Sequence, residues 1–239
     1  MESLSGKIAI VTGATRGIGR AIAERLLREG AVVAICGRTA ATVDAAVTQM
    51  TPLGKVFGRL ADVTDLAQVR AFFQAVDAEF GGLDILVNNA GAGHFVKVAE
   101  MSPEDWHRDI DLNLTAPFYC SREALARFSR RGGGFIVNIS SLAGKNAFSG
   151  GAAYNAAKAG LNLFTEAMML DHRHDNLRVS YIMPGSVDTG FGADSGRRSG
   201  DASWMIAAED VAEAVAMVLR MPSRTMISRV EMRPSRPKK

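Results

Sequence analysis

The 239-residue chain holds two cysteines, Cys36 and Cys120, far apart in apolar stretches. That is too few for a disulfide framework and reads as reduced thiols in a cytoplasmic protein. No apolar run reaches the ~18 residues that a membrane span needs. The opening residues Met1 to Lys7 carry no apolar signal core, so neither membrane nor export is expected. Gly-x-Ser-x-Gly does not occur, which leaves nucleophilic hydrolase chemistry without a footing. His172 and His174 stand among Asp171, Asp175 and Asn176 where a helix should end, and no third ligand cluster accompanies them; no metal site is expected. Surplus positive charge is also missing from the body of the chain. The net charge is +3, but Arg233, Arg236, Lys238 and Lys239 account for all of it. The basic pI therefore describes a tail and indicates no nucleic-acid surface; with Pro234 and Pro237, the tail reads as a solvated, poorly ordered end.

What is present is apolar and alternating. A hydrophobic content of 47% with 22% charged residues suits a large core and argues against disorder or a coiled coil. Short apolar runs at 7–12, 31–36, 55–60, 84–87, 135–139, 178–183 and 226–232 read as strands. Helical patterns lie between them at 20–29, 40–50 and 65–80, in one long helix opened by Ser102-Pro103-Glu104, in one carrying Tyr154, and at 208–219. Such alternation demands right-handed crossovers. The expected fold is α/β, a doubly wound Rossmann-like parallel sheet of about seven strands with helices on both faces, in one domain over 1–239. No repeat and no second domain is visible.

Chemistry concentrates at the strand ends. The first strand runs into Gly13-Ala14-Thr15-Arg16-Gly17-Ile18-Gly19 and then a helix. Glycines there permit a tight turn and close backbone approach, and the helix N-terminus offers free N–H groups to a diphosphate. Tyr154 and Lys158 are four apart on a helix and share a face. A fixed ammonium beside a phenol stabilises the phenolate and makes tyrosine a better acid. Ser141 follows the 135–139 strand, so its hydroxyl should emerge at the sheet edge where ligands bind in open α/β folds.

With Asn113 upstream, these motifs make nearly the whole chain similar to the short-chain dehydrogenase/reductase family, among them 3-oxoacyl-acyl carrier protein reductases and 3-hydroxy acid dehydrogenases. The resemblance implies an NADP(H)-dependent oxidoreductase that interconverts a carbonyl and an alcohol. In it Ser141 would polarise the carbonyl, Tyr154 would act as general acid/base, Lys158 would lower the tyrosine pKa and bind the nicotinamide ribose, and Asn113 would hold a relay water. Asp62 and Val63 would contact the adenine, although Asp62 is equally natural as a turn aspartate. The run Asn88-Asn89-Ala90-Gly91 is a family signature that would stabilise the sheet and line the cofactor site, and Pro184, Gly185, Val187 and Thr189 match the loop that holds the carboxamide. An NAD-selective site places an acid at the end of the second strand. Here Gly37 and Arg38 stand there, and Arg38 with Arg16 could take a 2′-phosphate, so NADP is expected.

Other expectations follow. The 146–151 segment and a mobile 190–203 loop should shape the pocket for a small-molecule substrate, with Arg197 and Arg198 favouring an anionic group. His94 either borders the substrate or is an ordinary loop residue. The resemblance implies a homotetramer or homodimer through the helices around Asn113 and Tyr154, where Phe118, Leu163 and Phe164 supply either apolar contact or core. The C-terminus departs from the Gly-rich ending common in the family. A 3-oxoacyl thioester reductase and a non-catalytic cofactor-binding regulator are the alternatives.

Overall fold

The computed structural model describes residues 1–191 and 202–237. Seven strands, β1 (Ile8–Thr12), β2 (Val32–Gly37), β3 (Val56–Leu60), β4 (Ile85–Asn88), β5 (Gly134–Ile139), β6 (Leu177–Pro184) and β7 (Arg229–Met232), form one sheet in the order β3-β2-β1-β4-β5-β6-β7. Every pairing is parallel. The chain leaves β1 toward β2 and β3, then returns across to β4 on the other side. That reversal opens a crevice above the C-terminal ends of β1 and β4.

The central strands are buried on both faces, and their alternation decides which residue serves which layer. Ala9 and Val11 of β1 join Ile22 and Leu26 of α1 (Gly17–Arg28), Met50 of α2 (Ala40–Met50), and Val211 and Val215 of α7 (Ala208–Leu219). Ile8 and Ile10 face the other way, onto Phe72 and Phe73 of α3 (Leu66–Phe80) and Phe128 of α5 (Ala116–Arg131). The long α6 (Ala152–His172) completes this second layer through Met168. No helix among the described residues is long and apolar enough to cross a membrane.

Several elements differ from the sequence reading. Helix α1 begins at Gly17, inside the glycine loop, so the loop's last residues are themselves its first turn. The expected long helix after Ser102 is α4 (Pro103–Ile110), capped by Ser102 Oγ accepting from Asp105 N at 3.1 Å, followed by a π-helical turn, Asp111–Thr115, and only then α5. Pro117 has no N–H to give the carbonyl of Asn113, and the Asn113 side chain takes the Asp109 carbonyl instead, at 2.9 Å; both loosen the ladder there. Strand β7 is shorter than 226–232 because 226 and 227 meet β6 through side chains: Val179 N donates to Met226 Sδ, and Ser180 Oγ to the Ile227 carbonyl.

Candidate active site

A cleft of about 980 Å³ follows the C-terminal strand ends across the sheet. At the β2–β3 side it is lined by Thr15, Arg16, Gly37, Arg38 and Val63; in the middle by Gly13, Gly17, Ile18, Asn89, Ala90 and Gly91; and at the β5–β6 side by Ser141, Tyr154, Lys158, Pro184, Gly185, Val187 and Thr189. Gly13 has φ +63°, and a methyl group on it would lie 2.8 Å from Ala90 Cα, so the loop after β1 packs directly on the loop after β4. Thr12, which the sequence did not single out, fastens the same junction: its Oγ1 accepts from the N–H groups of Asn89 and Ala90 at 3.0 Å each. Asn89 returns its amide to the Thr12 carbonyl at 2.9 Å.

Two expected cofactor residues do not line the cleft. Asp62 is absent from the cleft lining; its Oδ1 accepts from the Thr64 N–H and hydroxyl at 2.9 and 2.8 Å, the turn role that the sequence left open. Gly19 is buried behind the cleft, where a side chain would strike Asn89. The His94 ring also turns away, half exposed and 3.5 Å from Asp105, leaving its neighbour Phe95 in the lining.

Lys158 and Asn113 converge on one spot. A methyl group on Gly91 would lie 2.9 Å from Asn113 Oδ1 and 3.7 Å from Lys158 Nζ. Asn113 is fully buried; its amide donates to the Ala92 and Asp109 carbonyls at 2.7 and 2.9 Å, and its Oδ1 has no partner among the described residues. Lys158 Nζ donates to the Ile139 carbonyl at 2.9 Å and lies 5.7 Å from the Tyr154 ring centroid. Ser141 accepts from Ala143 N at 3.1 Å and stands near the Tyr154 hydroxyl, whose acidity it favours.

Burial dominates the electrostatics. It pushes the Tyr154 hydroxyl up to about 12, against the opposing pull of the Ser141 hydroxyl, with the charge of Asp109 adding to the rise. It pulls the Lys158 ammonium down to about 8. The expected lowering of Tyr154 by Lys158 does not show in the protein alone, where the lysine is aimed at a carbonyl and the desolvation of the phenolate is larger. The same burial lifts the Cys36 thiol, beneath the cleft, to about 12, so neither it nor Cys120 behaves as a reactive thiolate.

Around Tyr154 stands an aromatic wall that sequence reasoning did not identify residue by residue. Phe95 and Phe191 each place a ring centroid 5.7 Å from the Tyr154 ring, and Phe95 meets Phe148 at 5.4 Å. Phe148 and Phe191 fall in the two segments expected to shape the pocket, whereas no periodicity marks Phe95. Trp204 and Met205 add to the lining. Arg197 and Arg198 lie outside the described residues. The tail is solvated at Arg233, Ser235, Arg236 and Pro237, which are exposed, yet it starts against the site. Because β7 runs parallel to β6, it ends at the same sheet edge, and Arg233, Pro234 and Pro237 border the cleft, tied down by Gly185 N donating to the Met232 carbonyl at 2.8 Å.

An elongated cleft with a glycine cradle, an uncapped helix N-terminus and an unpartnered buried acceptor fits a dinucleotide beside a small apolar substrate. The family model for short chain dehydrogenases matches residues 7–199, and the chain belongs to that family of oxidoreductases. Among its relatives is a 3α-hydroxysteroid dehydrogenase of Mediterraneibacter gnavus, 39% identical over 189 residues that span 78% of this chain and 76% of the relative. An uncharacterised oxidoreductase of Staphylococcus epidermidis is 31% identical over 98% of this chain and 100% of its own. An alcohol dehydrogenase of the archaeon Thermococcus sibiricus, solved with 5-hydroxy-NADP, superposes with a TM-score of 0.89 at 28% identity, covering 98% of this chain and 100% of that one. A metagenomic short-chain oxidoreductase solved with NADP gives 0.86 at 35% identity, covering 99% and 100%.

Proposed function

We propose that the protein interconverts an apolar ketone and its secondary alcohol with NADP(H). The observation that carries this reading is the setting of Tyr154, whose hydroxyl stands near Ser141 inside a wall of Phe95, Phe148 and Phe191. A nicotinamide bound along the strand ends would supply or accept the hydride. Ser141 holds the carbonyl oxygen and stabilises the charge that grows on it. Tyr154 gives that oxygen its proton in reduction and removes it in oxidation. Lys158 supplies positive charge beside the phenol, and the Asn113 Oδ1 acceptor holds a water through which the proton is replaced.

A phenol at about 12 is a proton donor at neutral pH and a base only when positive charge is brought near or the solution is alkaline. The choice of NADP rests on Arg16 and Arg38, which line the cleft at the β2 end and among the described residues pair with no carboxylate, with Gly37 where an acid would repel a 2′-phosphate. Two relatives named as 3α- and 3β-hydroxysteroid dehydrogenases, the second 40% identical over 79% of this chain, accord with a bulky alicyclic substrate. The test is a panel of carbonyls with NADPH at neutral pH and of alcohols with NADP⁺ at alkaline pH. Cyclic and aryl ketones should be reduced faster than 3-oxo acids or 3-oxoacyl thioesters. Turnover confined to the thioesters would overturn the substrate class, and none at all would favour a regulator that binds cofactor without using it.

A further inference from the structure

Three charged side chains of the described residues are buried: Lys158, Arg127 and Asp109. Lys158 belongs to the site, and Arg127 is neutralised by Asp77 at 2.8 Å and Glu123 at 3.2 Å. Asp109, only 3% exposed, has no ion pair among the described residues. Both its carboxylate oxygens accept the backbone N–H of His94, at 3.2 Å each. Its carbonyl accepts from Asn113, whose amide also donates to the Ala92 carbonyl at 2.7 Å. The strap 92–94 is thereby pinned twice by α4 and the π turn. Its next residue, Phe95, sets its ring edge-on against Tyr154.

We propose that Asp109 is a positioning residue for the reaction, fastening the 92–95 strap so that Phe95 walls Tyr154 and the substrate. A carboxamide would make the same hydrogen bond without the cost of burying a charge, so the charge itself needs a role. Burial does most to keep Tyr154 a donor, and the negative carboxylate adds to it by favouring the protonated phenol. Burial raises the Asp109 carboxyl from its ordinary value, opposed by the His94 N–H and by the His94 and Arg108 charges, while Asp105 adds to the rise. Tyr154 and Lys158 are the titratable groups on the buried N-terminal half of α6, against which α4 packs.

The inference rests on Tyr154 as acid/base, and the experiment separates the two. In Asp109→Asn the bond to His94 survives and the charge does not. The acid limb of kcat/KM for alcohol oxidation should move to lower pH, with KM for the alcohol within about twofold of wild type. In Asp109→Ala the limb should move likewise. There KM should rise about tenfold, as for one lost hydrogen bond to a charged group, and amides 93–96 should exchange faster in the cofactor-free protein. A merely structural aspartate would leave the limb in place. An unmoved limb in Asp109→Asn, or unchanged KM and exchange in Asp109→Ala, overturns the proposal. Tyr154→Phe is run beside them: if it retains turnover, the reading of Tyr154 fails, whereas its loss together with an unmoved limb removes only the role of Asp109.

Discussion

Tyr154 and Lys158 are pushed in opposite directions by the same burial, the phenol to about 12 and the ammonium to about 8. The lysine's folded value lies below its usual 10.5, so the unfolded chain binds more protons between the two values and stability rises with pH across that window. Below about 8 the full cost of the buried charge is present. In Lys158→Met this dependence should vanish: the stability of wild type minus variant should climb as pH goes from 8 to 10.5, read from urea unfolding at several pH values. A flat difference would mean that Lys158 titrates normally. At the other end of the cleft, Arg38→Ala removes one guanidinium from the expected phosphate site. KM for NADPH should rise at least about tenfold, as for one charge-assisted bond, while KM for NADH changes little. An unmoved ratio of the two would show that Arg38 does not select the cofactor.

Among the elements, β4, β5, α5 and α6 are joined by buried amides. Asn88 Nδ2 donates to Asn138 Oδ1 at 2.8 Å and to Ser121 Oγ at 3.1 Å, and Asn138 Nδ2 donates to Thr165 Oγ1 at 2.7 Å. Asn138→Leu leaves Asn88 and Thr165 short of partners in a dry core and should cost about 2–3 kcal/mol in urea unfolding. A loss below about 0.5 kcal/mol would mean that the network contributes little. The alternation of strands and helices was readable because the central strands are short, largely apolar runs, and the glycine loop because strand and helix flank it. The Asn88-Asn89 pair was readable only as a motif: the division of labour, Asn88 inside the sheet and Asn89 on the β1 loop, depends on which face each side chain takes. The π turn was hidden because Asn113 and Pro117 distort a ladder whose apolar pattern continues on both sides. Phe95 and Asp109 were hidden because a loop aromatic and a helix aspartate carry no signal of burial until tertiary contacts enclose them.

For the molecule as a whole, every expected catalytic residue sits at one edge of the sheet, reached by β5, α6 and the π turn. On the outer face of α5 and α6, Phe118 is 44% and Leu163 is 69% exposed, so of the three residues weighed as contact or core these two are not core; Phe164 is half-buried and meets Phe118 at 6.2 Å. We expect a second copy of the chain to cover this face. Phe118→Glu with Leu163→Glu should shift sedimentation to the monomer, and a wild-type monomer at working concentration would remove the expectation. The central claim is the proton at Tyr154, and Tyr154→Phe removes one oxygen from a wall otherwise built of rings. In single-turnover reduction of an apolar ketone with NADPH, the variant should lose on the order of 10²–10⁴ in rate while binding NADPH as tightly as wild type. Hydride transfer at the wild-type rate in that variant would contradict the account.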